Sequence, residues 1–145
     1  RNVQVSKSEG PDVGELENVL GNKEVLNFRN DLAPGVFGLE CIGKIVSEDK
    51  ESMFLFITNY TDSSASNFSY NPNAKNYIVK YDIRNITTPV STILVEGAFL
   101  NFSTTHPIYG VNILDNLLYW TDNRNQPRVI NVDNALSEGT SYYVK

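Results

Sequence analysis

Cysteine is nearly absent: Cys41 stands alone, so no disulfide can close within the chain and a disulfide-stapled module is excluded. Histidine is equally scarce. With His106 as the single imidazole, a zinc site of the usual His and Cys ligands cannot be assembled. No apolar run approaches the roughly 20 residues that a membrane-spanning helix needs, and no basic amphipathic stretch suits a lipid surface. Basic residues are too few for nucleic acid. The 145 residues carry a net charge of −5 with a pI near 4.8, and no basic patch is available to neutralise phosphates. Methionine and alanine are sparse as well, which weakens any helical reading.

What remains is a strand-forming chain. Hydrophobic residues make up 41%, aromatics 11% and charged residues only 20%, enough for a core and too little charge for disorder. The aromatic and β-branched residues favour strands. The dominant feature is a motif that occurs twice. Near the end it reads Leu117-Leu118-Tyr119-Trp120-Thr121-Asp122, a polar turn, then Val129-Ile130-Asn131-Val132-Asp133. Earlier it reads Phe54-Leu55-Phe56-Ile57-Thr58-Asn59, a long polar loop, then Ile78-Val79-Lys80-Tyr81-Asp82. In each copy an apolar strand ends in Thr followed by Asp or Asn, and a second strand ends in Asp. A glycine precedes each copy, in Ile42-Gly43 and Tyr109-Gly110. Repeats of this kind point to radial or stacked β architecture. The expected fold is therefore all-β, with antiparallel blades of propeller type that are incomplete in this segment. Thr58, Asn59, Asp82, Tyr119, Trp120, Thr121, Asp122 and Asp133 are its marker residues. Because the chain opens on Arg1 and stops just after Tyr142-Tyr143, it is expected to be part of a longer polypeptide.

Three parts are expected. Residues 1–35 form an N-terminal strand, hairpin and connector. Val3 to Ser6 alternates as a strand; Glu15 to Leu20 reads as a strand in preference to a helix capped by Asp12, and Gly21-Asn22 turns it into Glu24–Phe28. Residues 36–105 form the first repeat, with strands at Gly38–Val46, Met53–Thr58, Tyr77–Ile83 and Val90–Val95. Met53–Thr58 is apolar enough to be covered on both faces. Residues 106–145 form the second, shorter repeat. Trp120, Phe56, Leu118 and Ile78 are expected to be buried. The loop between Asn59 and Asn76 is expected to be exposed or pressed against another chain.

No catalytic constellation emerges. His106, with Ser103 and Asp115 near it in sequence, lacks a nucleophile elbow and reads as a packing residue. Asp122-Asn123-Arg124-Asn125 resembles a calcium loop until Arg124, which falls where an oxygen ligand is required. Asp122 and Asp133 fit better as strand-end carboxylates that accept backbone N–H groups, with Asn59 and Asp82 doing the same in the first copy. Trp120, inside an apolar strand, reads as core. The four Asn-x-Ser/Thr triplets, at Asn59, Asn67, Asn85 and Asn101, are little more than a chain with 18 asparagines yields by chance. No cofactor is called for.

Tyr119-Trp120-Thr121-Asp122 resembles the repeat of the YWTD propellers of lipoprotein-receptor ectodomains, although the first copy departs from it with Phe56-Ile57-Thr58-Asn59. A longer resemblance runs through Asn2-Val3-Gln4-Val5-Ser6, Glu17-Asn18-Val19-Leu20-Gly21-Asn22 and Trp120 to Val132, with its Thr-Asp-x-x-x-Gln-Pro-Arg stretch. Together these look like the tail stabilisation or muzzle-type proteins of crAss-like and related phages, and the layout is similar to the nozzle proteins of short-tailed phages. The resemblance implies a non-enzymatic structural protein of the virion tail, near the DNA exit channel. Its implied partners are other tail subunits and copies of itself in a ring, with no sequence-specific nucleic-acid binding and no membrane insertion. A host-recognition propeller using the Asn59–Asn76 loop is the alternative.

Overall fold

The computed structural model describes residues 3–5, 16–18, 27–48, 51–64, 66, 68–84 and 90–139. The described residues are mostly antiparallel sheet with little helix. β1 (Val3–Val5) pairs with β2 (Leu16–Asn18). The sequence reading pairs β2 with a strand after Gly21-Asn22; β1 is its partner among the described residues. That turn and Glu24 to Leu26 lie outside the described residues. Phe28, expected to end a strand, instead opens a single helical turn, α1 (Phe28–Asp31). Its cause is local: the Asn27 amide donates to Asp31 Oδ2 (2.7 Å), and the Asn30 amide donates to Asn27 Oδ1 (3.3 Å), a reciprocal cap.

Four strands, β3 (Glu40–Ser47), β4 (Ser52–Thr58), β5 (Asn76–Asp82) and β6 (Val90–Glu96), form one meander in sequence order. β7 (Gly110–Leu114), β8 (Leu117–Thr121) and β9 (Arg128–Asn131) form a second, three-stranded one. Both sheets are open; neither closes on itself. The strands follow from composition. β4 contains neither glycine nor proline, and its residues from Phe54 to Thr58 are all buried, as a doubly covered strand requires. A 3-10 turn, Ala98–Leu100, and an extended connector lead from the first sheet to the second.

The two sheets share one core. Phe54, Phe56 and Ile78 of the first meet Leu118, Trp120 and Ile130 of the second, with Phe102 of the connector between them. The rings of Phe56 and Trp120 lie 5.6 Å apart, and those of Phe56 and Phe102 stack edge-on at 6.0 Å. Each large side chain taken from water here contributes on the order of 1.5–3 kcal/mol. The other face of the first sheet carries Leu55, Ile57, Val79 and Tyr81. It is closed by the preceding segment through Ala33, with Leu32, Val36 and Leu39 at its border.

Close approach between the sheets depends on Gly43. A Cβ there would stand 2.7 Å from Ile108 Cβ and 3.0 Å from the Ile108 carbonyl oxygen, while the Ile108 amide donates to the Ile42 carbonyl at 2.7 Å. Gly43 pairs with Phe56, whereas Gly110 pairs with Thr121, so the two glycines that precede the motif occupy different rungs.

The end of the second copy also differs from its sequence reading. β9 stops at Asn131, and Asp133 lies in the first turn of a helix, α2 (Val132–Glu138). Asn131 causes the switch, because its side-chain oxygen accepts the Asn134 amide at 3.0 Å as an N-cap. Val132 and Ala135 then face the shared core. Among the described residues no helix is long and apolar enough to cross a membrane.

Candidate functional site

Three loops converge at one end of the two sheets: the segment after β4, the connector before β7, and the β8–β9 turn. Their meeting point is polar and dry. Asp62, from the first loop, and Arg124, from the third, have fully buried side chains. Arg124 Nε donates to Asp62 Oδ2 and Arg124 Nη2 to Asp62 Oδ1, each at 2.8 Å, in the two-pronged geometry that suits guanidinium and carboxylate. Two backbone carbonyls take further donors. Nη1 reaches the Asn101 carbonyl and Nη2 the Ser69 carbonyl. Asp62 also accepts the Ser69 amide and the Thr105 hydroxyl, each at 3.3 Å, while its own amide donates to Ser103 Oγ at 3.0 Å. The Arg124 guanidinium, followed by the Ser103 hydroxyl and the Ser69 amide, holds the Asp62 carboxyl well below the ordinary carboxylate range against the opposing effect of burial.

The turn that presents Arg124 is built by Asp122. Its Oδ1 accepts the amides of Arg124 (3.1 Å) and Asn125 (2.8 Å), and its Oδ2 accepts Asn125 Nδ2 (2.6 Å). Asn125 and Asn101 bond reciprocally, side chain to side chain and side chain to carbonyl. The oxygens that a calcium loop would aim at a cation are turned onto N–H groups. Among the described residues, no group of three His, Cys, Asp or Glu is placed to hold a metal ion.

His106 belongs to the same node. Its Nδ1 shares a 2.8 Å hydrogen bond with Thr105 Oγ1 and lies 3.7 Å from Asp62 Oδ2, and its ring meets Phe68 edge-on. The carboxylate beside it is therefore Asp62 rather than Asp115, which sits in the β7–β8 turn. Ser103 is fully buried, with its hydroxyl engaged by Thr105 and the Asp62 amide. A serine so enclosed offers no nucleophile to a substrate, and the cluster's chemistry is that of a fastening.

The eight marker residues are not gathered in one place. Thr58 is buried, donating to Asn76 Oδ1 (2.6 Å) and accepting the Tyr60 amide, and Asn59 Oδ1 accepts the Lys75 amide (2.8 Å). Trp120 is core, while Tyr119 and Thr121 lie on the opposite, open face of β8. Asp122 builds the Arg124 turn. Asp82 lies at the far end of its sheet and accepts the Arg84 amide; hydrogen bonds from Arg84 draw its carboxyl down to about 2. Asp133, in α2, receives Asn116 Nδ2. Nor is the Asn59–Asn76 loop simply exposed. Phe68 and Tyr70 are open to solvent, but Asp62 and Ala74 are buried and Asn76 is a strand residue. Asp62 is held inside by Arg124. That pairing is what sequence reasoning missed. A signal existed: a lone cation in an Asn-rich turn, and a single carboxylate, Asp62, in the long loop.

The model of the Crassvirus muzzle protein family matches residues 1–143. The chain belongs to that family. It is 26% identical over 136 residues to the muzzle protein of Bacteroides phage crAss001, a match that covers 91% of this chain and 9% of that protein. The chain thus spans about a tenth of the length of the curated muzzle protein it matches. No solved structure matches it.

Proposed function

We propose that this segment is a structural part of the phage virion tail, non-enzymatic, and that it braces a muzzle assembled around the channel through which DNA leaves. The observation that supports it best is family membership along almost the whole chain. The site adds to this. Its hydroxyls, imidazole and carboxylate are spent on one another and on Arg124, which is what a rigid strut requires. The net charge of −5 suits a wall that must not grip DNA.

Within that reading, the two sheets are successive blades of a propeller-like stack, divided near residues 35 and 105, and the Thr-Asp positions mark their equivalence. The ladder registers support this. With Thr58 set beside Thr121, the pair Phe56–Ile78 falls on Tyr119–Val129, and Leu55–Val79 falls on Leu118–Ile130. Neighbouring tail subunits and copies of the same polypeptide around the tail axis are the proposed partners. The tethering of the Asn59–Asn76 loop by Arg124 weighs against its use as a free recognition loop. Gold-labelled antibodies raised against residues 1–145, applied to intact particles and to particles with opened tails, test the proposal. Label at the tail tip is expected. Protein found in infected lysates but absent from purified particles overturns it.

A further inference from the structure

We infer that the open face of the second sheet is the seat of a further β-sheet from the same, longer muzzle polypeptide, stacked head to tail. The inference rests on reading the two sheets as successive members of one stack. The face carries Leu114, Tyr119 and Val129, which are 61%, 38% and 49% exposed, with Leu117 beside them. Asn112, Tyr119 and Val129 share one rung across all three strands, and Leu114 and Leu117 share the next on that face. Exposed large apolar side chains on two adjoining rungs of one sheet face mark a surface built to be covered.

The first sheet shows what covers it. In the common register, Tyr119 and Val129 are the counterparts of Phe56 and Ile78. Phe56 and Ile78 are wholly buried, because the Leu118–Trp120–Ile130 face of the next sheet lies on them. That covering face is in turn the counterpart of the Leu55–Ile57–Val79 face of the first sheet. One sheet therefore presents its Phe56-type face to its successor's Leu55-type face. The relation is heterologous and repeats without change of surface. The second sheet's Phe56-type face awaits the same kind of cover. A groove of about 340 Å³ lies at the Gly110–Thr121 end of the sheet, lined by Asn112, Tyr119 and Thr121 of this face and by Val111, Trp120 and Arg128 beyond its edge. Gly110 leaves this groove open, since a Cβ there would meet Thr121 Cγ2 at 2.6 Å.

Two observations select the occupant. A second copy of this chain cannot supply the complementary face, because its Leu55-type face is already closed by Ala33 and its neighbours. The longer polypeptide can: the matched region is 9% of the related muzzle protein, leaving ample length for further sheets.

The test uses the full-length muzzle polypeptide with a leucine-sized diazirine side chain placed at Val129 and, separately, at Ile45, which borders the shared core. Mixing isotope-labelled and unlabelled chains before irradiation separates links within a chain from links between copies. The expected product at Val129 is a link to a later segment of the same chain, lost in a Tyr119→Glu background. A link to another copy, a link to a different virion protein, or no link overturns the inference. Ile45 should link to residues of the second sheet. If it does and Val129 fails, the docking inference alone falls; if both fail, the stacked reading falls with it.

Discussion

Arg124 and Asp62 stand 62 residues apart in sequence and meet as a two-pronged ion pair from which water is excluded. The pair ties the long loop of the first sheet to the tight turn of the second, at the end where the sheets would otherwise part. Such a pair adds little over an apolar substitute, but severing it strands a buried charge.

Arg124→Met should therefore lower the unfolding free energy by about 3–5 kcal/mol, because it leaves the Asp62 carboxylate unpaired in the interior. Arg124→Lys, which keeps the charge but loses the fork, should fall between the wild type and Arg124→Met. Denaturant titration followed by circular dichroism measures both. A loss under about 1 kcal/mol, the scale of a surface ion pair, would remove the pair's structural role.

The same carboxylate sets an acid dependence. Its folded pKa lies below its ordinary value of 3.8, so its contribution is fully present above that value. The contribution is lost as pH falls from about 4 toward the depressed folded value, where the unfolded chain takes up the proton first. The wild type should lose stability steeply in that window, and Asp62→Asn should lose less of what it has. Thermal midpoints from pH 6 down to pH 2 for the two proteins give the comparison; parallel curves would show that Asp62 is not the group concerned. Asp82, also drawn down by Arg84, contributes equally to both curves and cancels.

Gly43→Ala should cost about 1–3 kcal/mol by overpacking, since the added Cβ must displace Ile108 and its carbonyl. Trp120 is the single tryptophan and sits at the sheet-to-sheet contact, so its emission should shift to the red as the sheets separate. An unchanged spectrum with unchanged stability would mean that the contact at Gly43 is loose.

Asn131→Ala should remove the cap of α2 at about 1 kcal/mol. Amide exchange should speed up within Val132–Glu138 and leave β4 and β5 unaffected. Faster exchange in β4 as well would show that the helix and the shared core melt together.

Much of the architecture could be read from the chain because its cues are local. The apolar runs Met53–Ile57 and Leu117–Trp120 and the polar breaks around them mark strands without knowledge of their neighbours. Burial of Phe56, Ile78, Leu118 and Trp120 followed from the same pattern. The helix α2 was hidden because only Val132 and Ala135 of its seven residues are buried, too few for a helical stripe. Its cues were the spacing of Asn131 and Asn134 and the terminating Gly139, which has φ 59°. The Asp62–Arg124 pair was hidden for a different reason. Its partners are local to nothing, and only the docking of the sheets decides which cation the loop carboxylate meets.

The pair also orders events in time. Each meander closes through contacts between adjacent strands, which form quickly, whereas the Asp62–Arg124 bond must wait until the Asp122 turn has formed and the sheets have docked. The Asn59–Lys75 bonds at the base of the loop need only the first sheet, so the anchoring of Asp62 and Ser69 on Arg124 is the part of the loop that depends on the second.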